Sequence, residues 1–311
     1  MTENPFKAMH CTIETDNRAE FPGRYTIKLP PMLREIYGGD LDFVVSPEKL
    51  DRPVTFLNFV TDTKGVFNRK DLPGGGPISK GNEADAFGMA LLRAVADGVM
   101  VGAGTVNGEP DHKWHVDFIF DAFPQMKGKE ALRNEFKQWR KELGKQYEHP
   151  PTFFMTNSGQ VNFDAAVFKD TSITKYIVTG AAGALALRTK FGMTTSALDA
   201  LNTSILVYGD EKLDETAMMK DLRANFGIDI LLHEGGRGVA DALVQRGLID
   251  QLFLTQMAAS IENDTAPENL QYLLSTPDHQ LLPEARVMTT RNDAAHTAKL
   301  IAVALAGVPK L

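Results

Sequence analysis

The run IDILLHEGGRGVADALVQRGLID at residues 228–250 puts an apolar β-prone segment, a glycine cluster and a helical repeat in immediate succession. That order restricts the fold more than any other part of the chain. Ile228, Ile230, Leu231 and Leu232 read as a buried strand, with His233 and Glu234 at its end. Gly235, Gly236 and Gly238 follow, and then Val239, Ala240, Leu243 and Val244 recur at helical spacing up to the C-capping Gly247. A strand, a glycine turn and a helix start bring free backbone N–H groups and a helix dipole together, which suits a phosphate. The same turn is also ordinary loop chemistry, so on its own it marks a place where a ligand can touch backbone and no more.

The flanking segments extend the pattern. Residues 175–179 and 204–208 read as strands ending in Gly180 and Gly209, and Asp214 caps a helix that buries Met218, Met219 and Leu222. Strands alternating with helices imply right-handed crossovers and a parallel sheet. After Asp250, residues 251–255, 285–290 and 298–305 are strands with no helix between them, so they should pair antiparallel, with Asn292 and Asp293 in a link. The expected fold is α/β: a mostly parallel central sheet flanked by helices, with antiparallel C-terminal strands. Residues 1–50, punctuated by Pro5, Pro22, Pro30, Pro31 and Pro47, read as an irregular arm lying on the outside or on a partner subunit. Only 24–29 and 41–45 in it look extended. Residues 51–311 read as one domain.

A net charge of −7 over 311 residues argues against nucleic acid or an acidic membrane as partner. The single Cys11, in a polar segment expected to be exposed, cannot form an internal disulfide and fits a reducing compartment. No apolar run approaches a membrane span and no signal peptide opens the chain, so a cytoplasmic protein is expected. His112 and His115 have metal-like H-x-x-H spacing but no further paired histidine, so no metal is expected. They read as solvated loop histidines, or Trp114 and His115 could overhang a pocket.

The N-terminal half of the domain carries its own signals. Residues 53–60 (PVTFLNFV) are a strand leading to the turn Asp62-Thr63-Lys64-Gly65, with a glycine stretch at 74–76 beyond. A helix at 82–97 precedes a short strand at 99–101 and the turn Gly102-Ala103-Gly104-Thr105. A helix at 129–146 aligns Leu132, Phe136, Trp139 and Leu143, and a strand at 152–156 ends at Asn157-Ser158-Gly159.

Taken together, RPVTFLNFV with Lys64-Gly65, LLRAVADGVMVGAGTV at 91–106 and the HEGGRG turn resemble the reductase family of riboflavin biosynthesis, the RibD C-terminal reductase domain, which has a dihydrofolate-reductase-like fold. The resemblance implies NADPH as hydride donor and a homodimer. It also implies roles by position. Val60 and Thr61 would flank the nicotinamide, and Gly102, Ala103, Gly104 and Thr105 would lie along the cofactor. Gly235, Gly236 and Arg237 would meet the pyrophosphate, and Thr156 and Ser158 the adenosine ribose and its 2′-phosphate. Glu234 matches the family's glutamate before the glycine pair. Glu234, Asp62 and Lys64 are the candidates for proton supply or charge stabilisation.

The substrate half departs from the family. Asn58 stands where the family carries lysine, Asn107 where it carries arginine, and the segment expected to hold a substrate phosphate is replaced by a long insertion at 109–151. With no His-Ala-Glu and Pro-Cys-x-x-Cys signature, deaminase chemistry is excluded. The expectation is an NADPH-dependent reductase acting on a C=N or C=O carbon of a small heterocyclic or sugar-like substrate, resembling 5-amino-6-(5-phosphoribosylamino)uracil reductase. The rivals are a pterin-type or other small-carbonyl reductase on the same fold, and an NADP-binding protein without catalysis.

Overall fold

The computed structural model describes residues 5–71, 75–258, 266–272, 286–293 and 298–305. Its strands in chain order are β1 Cys11–Asp16, β2 Tyr25–Ile27, β3 Leu41–Phe43, β4 Val54–Thr61, β5 Val66–Arg69, β6 Gly98–Gly102, β7 Thr152–Met155, β8 Lys175–Thr179, β9 Thr203–Val207, β10 Ile230–Glu234, β11 Gln251–Met257, β12 Leu270–Tyr272, β13 Arg286–Asp293 and β14 Ala298–Ala304. Ten of them form one sheet in the order β1-β13-β14-β11-β4-β10-β6-β7-β8-β9. The run from β11 to β9 is parallel throughout. β14, β13 and β1 add to it antiparallel, as expected for strands joined without crossover helices.

The parallel strands are apolar on both sides because helices cover both faces. On one face the helix Glu83–Val95 buries Ala86, Phe87, Ala90, Leu91 and Ala94 against Val54, Phe56 and Leu232. Asn82 caps it by accepting a hydrogen bond from the Asp85 amide at 2.9 Å. The insertion helix Lys129–Glu142 packs Phe136 against Phe87 on the same side, ring centroids 5.7 Å apart. On the other face the helices Glu215–Ala224 and Arg237–Gln245 bury Met218, Met219, Leu222, Ala240 and Leu243 against Leu57, Met100 and Leu231.

The N-terminal segment differs from the irregular arm expected. β1 is the edge strand of the main sheet, and β2 and β3 pair with each other at the extended segments anticipated there. β1 escaped notice because only Cys11 of its six residues is buried, so it has no alternating apolar pattern. Cys11 is 5% exposed, not solvated. Asn292 and Asp293 belong to β13 instead of a link. Gly74 and Ala285, which the sequence places in a loop and a strand, lie outside the described residues.

Candidate active site at the carboxyl edge of the sheet

In a parallel sheet all strands end on one edge, and the loops beyond that edge share one cleft. Four adjacent strands, in the order β4, β10, β6, β7, end in the four segments singled out from the sequence. β4 ends at Val60 and Thr61, β10 leads into Gly235-Gly236-Arg237, β6 into Gly102–Thr105 and β7 into Thr156 and Ser158. Three inter-strand steps span about 15 Å. The row therefore offers an extended ligand a continuous floor of strand ends and helix starts.

The two glycine turns touch. Gly235 and Gly236 have φ of +84° and +90°, a left-handed region that favours glycine. A Cβ on Gly235 would lie 2.7 Å from Thr105 Cγ2, and one on Gly236 would lie 3.3 Å from Gly102 Cα. The Gly102 amide donates to the Gly235 carbonyl at 3.4 Å. Both glycines are thus required by the neighbouring turn. Gly104 is open, since a Cβ there would meet nothing. Behind the turn, His233 is fully buried and its ring approaches the Gly236 and Met100 backbone without reaching good hydrogen-bond geometry. Burial holds its pKa down at about 4.

The other residues expected at the site lie as follows. Thr156 Oγ1 accepts from the Gly159 amide at 3.1 Å and lies 3.4 Å from Ser158 Oγ, so two hydroxyls cluster where β7 ends. Thr61 is buried and its Oγ1 has no hydrogen-bond partner. Arg237 is half-buried and pairs with Asp241 at 3.3 Å. Asp62 is buried: its Oδ1 accepts from the Lys64 and Val66 amides at 2.8 and 2.9 Å, closing the link from β4 to β5. Lys64 is exposed.

Glu234 lies at the centre of a cluster that the sequence reading missed. Arg93 Nη2 and Nε donate to Glu234 Oε2 at 2.6 and 2.9 Å, and Asn58 Nδ2 stands 3.4 Å from Oε1. Arg93 also donates to the carbonyls of Lys113 and His115 at 3.2 Å each, and its Nη2 lies 3.0 Å from His112 Nε2. Burial, then the Arg93 charge, holds His112 well below the usual histidine range, so the ring is a neutral acceptor here. Burial pushes the Glu109 carboxyl up, with Arg93 opposing and Glu234 reinforcing the shift. Asp85, at the head of the same helix, is 9% exposed. Burial raises its pKa to about 6, against the bonding Thr255 hydroxyl and with the Glu234 charge. Arg93 and Asp85 each carry a readable signal: charged residues at apolar-stripe positions, Arg93 seven after Ala86 and Asp85 seven before Leu92. Trp114 does not overhang the cleft. It is 3% exposed and packs edge-on against Phe154 of β7.

A cavity of ≈ 20 Å³ beside Asn58, Gly88 and Thr255 has room for about one water and none for a substrate.

A sequence profile of the RibD C-terminal domain matches residues 73–261. A pyrimidine reductase-like protein of Corynebacterium diphtheriae has a similar structure, with a TM-score of 0.59 at 17% identity over 81% of this chain and 92% of that one. The riboflavin biosynthesis reductase Rib7 of Saccharomyces cerevisiae gives 0.51 at 14% identity, over 89% and 99%. A diaminohydroxyphosphoribosylaminopyrimidine deaminase/5-amino-6-(5-phosphoribosylamino)uracil reductase of Thermotoga maritima gives 0.50 at 15% identity, over 82% and 57%. At these identities the likeness is one of fold. No curated protein sequence matches the chain.

Proposed function

The chain belongs to the RibD C-terminal domain family, with its dihydrofolate-reductase-like fold, and from that premise we propose that it is an NADPH-dependent reductase. The substrate is a small heterocyclic or sugar-like molecule, reduced at a C=N or C=O carbon. The observation that carries the reading is the row of four adjacent strand ends that gathers every residue expected along the cofactor. Val60, Thr61, Gly102, Ala103, Gly104, Thr105, Thr156, Ser158, Gly235, Gly236 and Arg237 would hold NADPH, which when bound supplies the hydride. The open space at Gly104 and the unpartnered Thr61 hydroxyl fit such a ligand.

The remaining work falls to the chain's own side chains. Reduction of a C=N or C=O bond needs a proton as well as a hydride. Asp85 holds one at its carboxyl up to about pH 6, beside Thr255, which is level with Val60 in the sheet. Arg93 fixes Glu234, and Glu234 in turn accepts from Asn58 Nδ2. Asp62 and Lys64 set the turn after β4, where the Lys64 side chain is exposed. The proposal includes a homodimer working in the cytoplasm on a small molecule. Among the described residues no helix is long and apolar enough to cross a membrane.

Paired titrations with NADPH and NADH, read by intrinsic fluorescence and thermal shift, test the reading. Tight NADPH binding that Gly104→Asp abolishes supports it, and a substrate screen by NADPH oxidation follows. Failure to bind either nucleotide would leave a shared fold without the shared activity.

A further inference from the structure

The insertion brings His115, Asp117 and His149 together, although His149 lies far along the chain from the other two. One ring nitrogen of each histidine and a carboxylate oxygen of Asp117 lie within 4.8 Å of one another. The imidazoles of His115 and His149 face each other with centroids 4.4 Å apart. His115 is 5% exposed, and its Nε2 is buried with no hydrogen-bond partner. Asp117 Oδ1 is likewise buried without one. His115 Nε2 stands 3.9 Å from Asp170 Oδ2, and Asp117 Oδ1 stands 3.8 Å from Arg133 Nε, both too long for hydrogen bonds. Buried polar atoms left this way call for a partner.

We propose that His115, Asp117 and His149 bind a divalent transition-metal cation of the zinc class. Two imidazoles and one carboxylate with a water in the fourth position form a donor set such ions accept. Tetrahedral zinc needs ligand atoms about 3.4 Å apart, so the set closes by little more than an ångström on binding. The neighbouring cations do not forbid this. Lys137 Nζ lies 3.0 Å from Asp117 Oδ2 but also 3.3 Å from Glu148, and Arg133 has Asp121 at 2.6 Å. Both keep a carboxylate when Asp117 turns to a metal. His115 Nδ1 accepts from the Phe118 amide at 3.3 Å. A metal on Nε2 moves the ring proton to Nδ1 and gives up that cap, with no net proton released. The ion would tie the start of the helix Val116–Ala122 to the segment entering β7, clasping the two ends of the insertion. The His115 carbonyl also accepts from Arg93, so the clasp adjoins the Glu234 cluster.

The test is isothermal titration of untagged, chelator-stripped protein with zinc chloride. One zinc per chain is expected, with the dissociation constant raised at least about tenfold in His149→Ala and Asp117→Asn and unchanged in His10→Ala. Absence of zinc binding, or binding that both cluster variants retain, overturns the proposal. If those variants fail to fold, cobalt(II) added to the wild type decides: visible d–d bands of a four-coordinate site support the cluster, and a spectrum of free aquated cobalt overturns it.

Discussion

Arg93 and Glu234 form a buried ion pair, Nη2 to Oε2 at 2.6 Å, between the helix that precedes β6 and the end of β10, with side chains 1% and 8% exposed. The pair joins the cover of the sheet to the edge where ligand is expected. Two charges out of water stabilise little as a pair, because desolvation offsets their attraction. Removing one partner is different, since it leaves the other buried and uncompensated. Arg93→Met should therefore lower stability by about 3–5 kcal/mol, and Arg93→Met with Glu234→Gln by less than the sum of the single changes. Urea denaturation of the four proteins measures the coupling. Additive losses would mean that the two groups do not depend on each other.

The glycines of the two touching turns separate packing from binding. Gly235→Ala places a methyl 2.7 Å from Thr105 at a φ of +84° and should destabilise the fold by roughly 1–3 kcal/mol. Gly104→Asp meets open space and should change stability by no more than about 0.5 kcal/mol. Nucleotide titration should nevertheless show Gly104→Asp to be the variant that cannot bind. Normal binding in folded Gly104→Asp would place the nucleotide elsewhere.

Cys11 provides a simple check on the N-terminal strand. Burial pushes its thiol up to about 12, so at pH 8 the thiolate is on the order of one part in ten thousand. Ellman's reagent should leave native protein unreacted over minutes and titrate one thiol per chain in denaturant. Rapid native reaction would show that β1 is not seated on β13.

The strands of the parallel sheet were legible because each is a short apolar run closed by a glycine or a polar turn, as at Leu232 to Gly235. The expected cofactor residues share one edge because parallel strands must end together. β1 was not legible, since an edge strand such as Cys11–Asp16 needs no apolar alternation to pair. The partners of Glu234 were legible only as charged residues on an apolar stripe, not as its partners. Arg93 and Asp85 sit inside an amphipathic helix, and only the packed structure shows that their stripe faces buried carboxylates and carbonyls. The two loop histidines, read as solvated, part company in the fold: His112 turns to Arg93, while His115 is buried against His149.

Asp85 carries the prediction with the widest reach. Its carboxyl rises from 3.8 to about 6 on folding, chiefly through burial. Between those values the folded protein binds more protons than the unfolded chain, so stability falls as pH rises through this window and stays lowered above it. Asp85→Asn keeps an acceptor for Thr255 without the charge. It should be more stable than wild type at pH 8, by on the order of 3 kcal/mol at most, and should converge with it near pH 4. Thermal unfolding of both proteins across that range measures the difference. Turnover gives an independent reading. If Asp85 holds the proton that accompanies the hydride, wild-type kcat/KM declines above about pH 6, and Asp85→Asn is slow with a flat profile. A stabilised Asp85→Asn that keeps the wild-type rate and pH profile would confine Asp85 to the energetics of the helix and assign proton supply to another group.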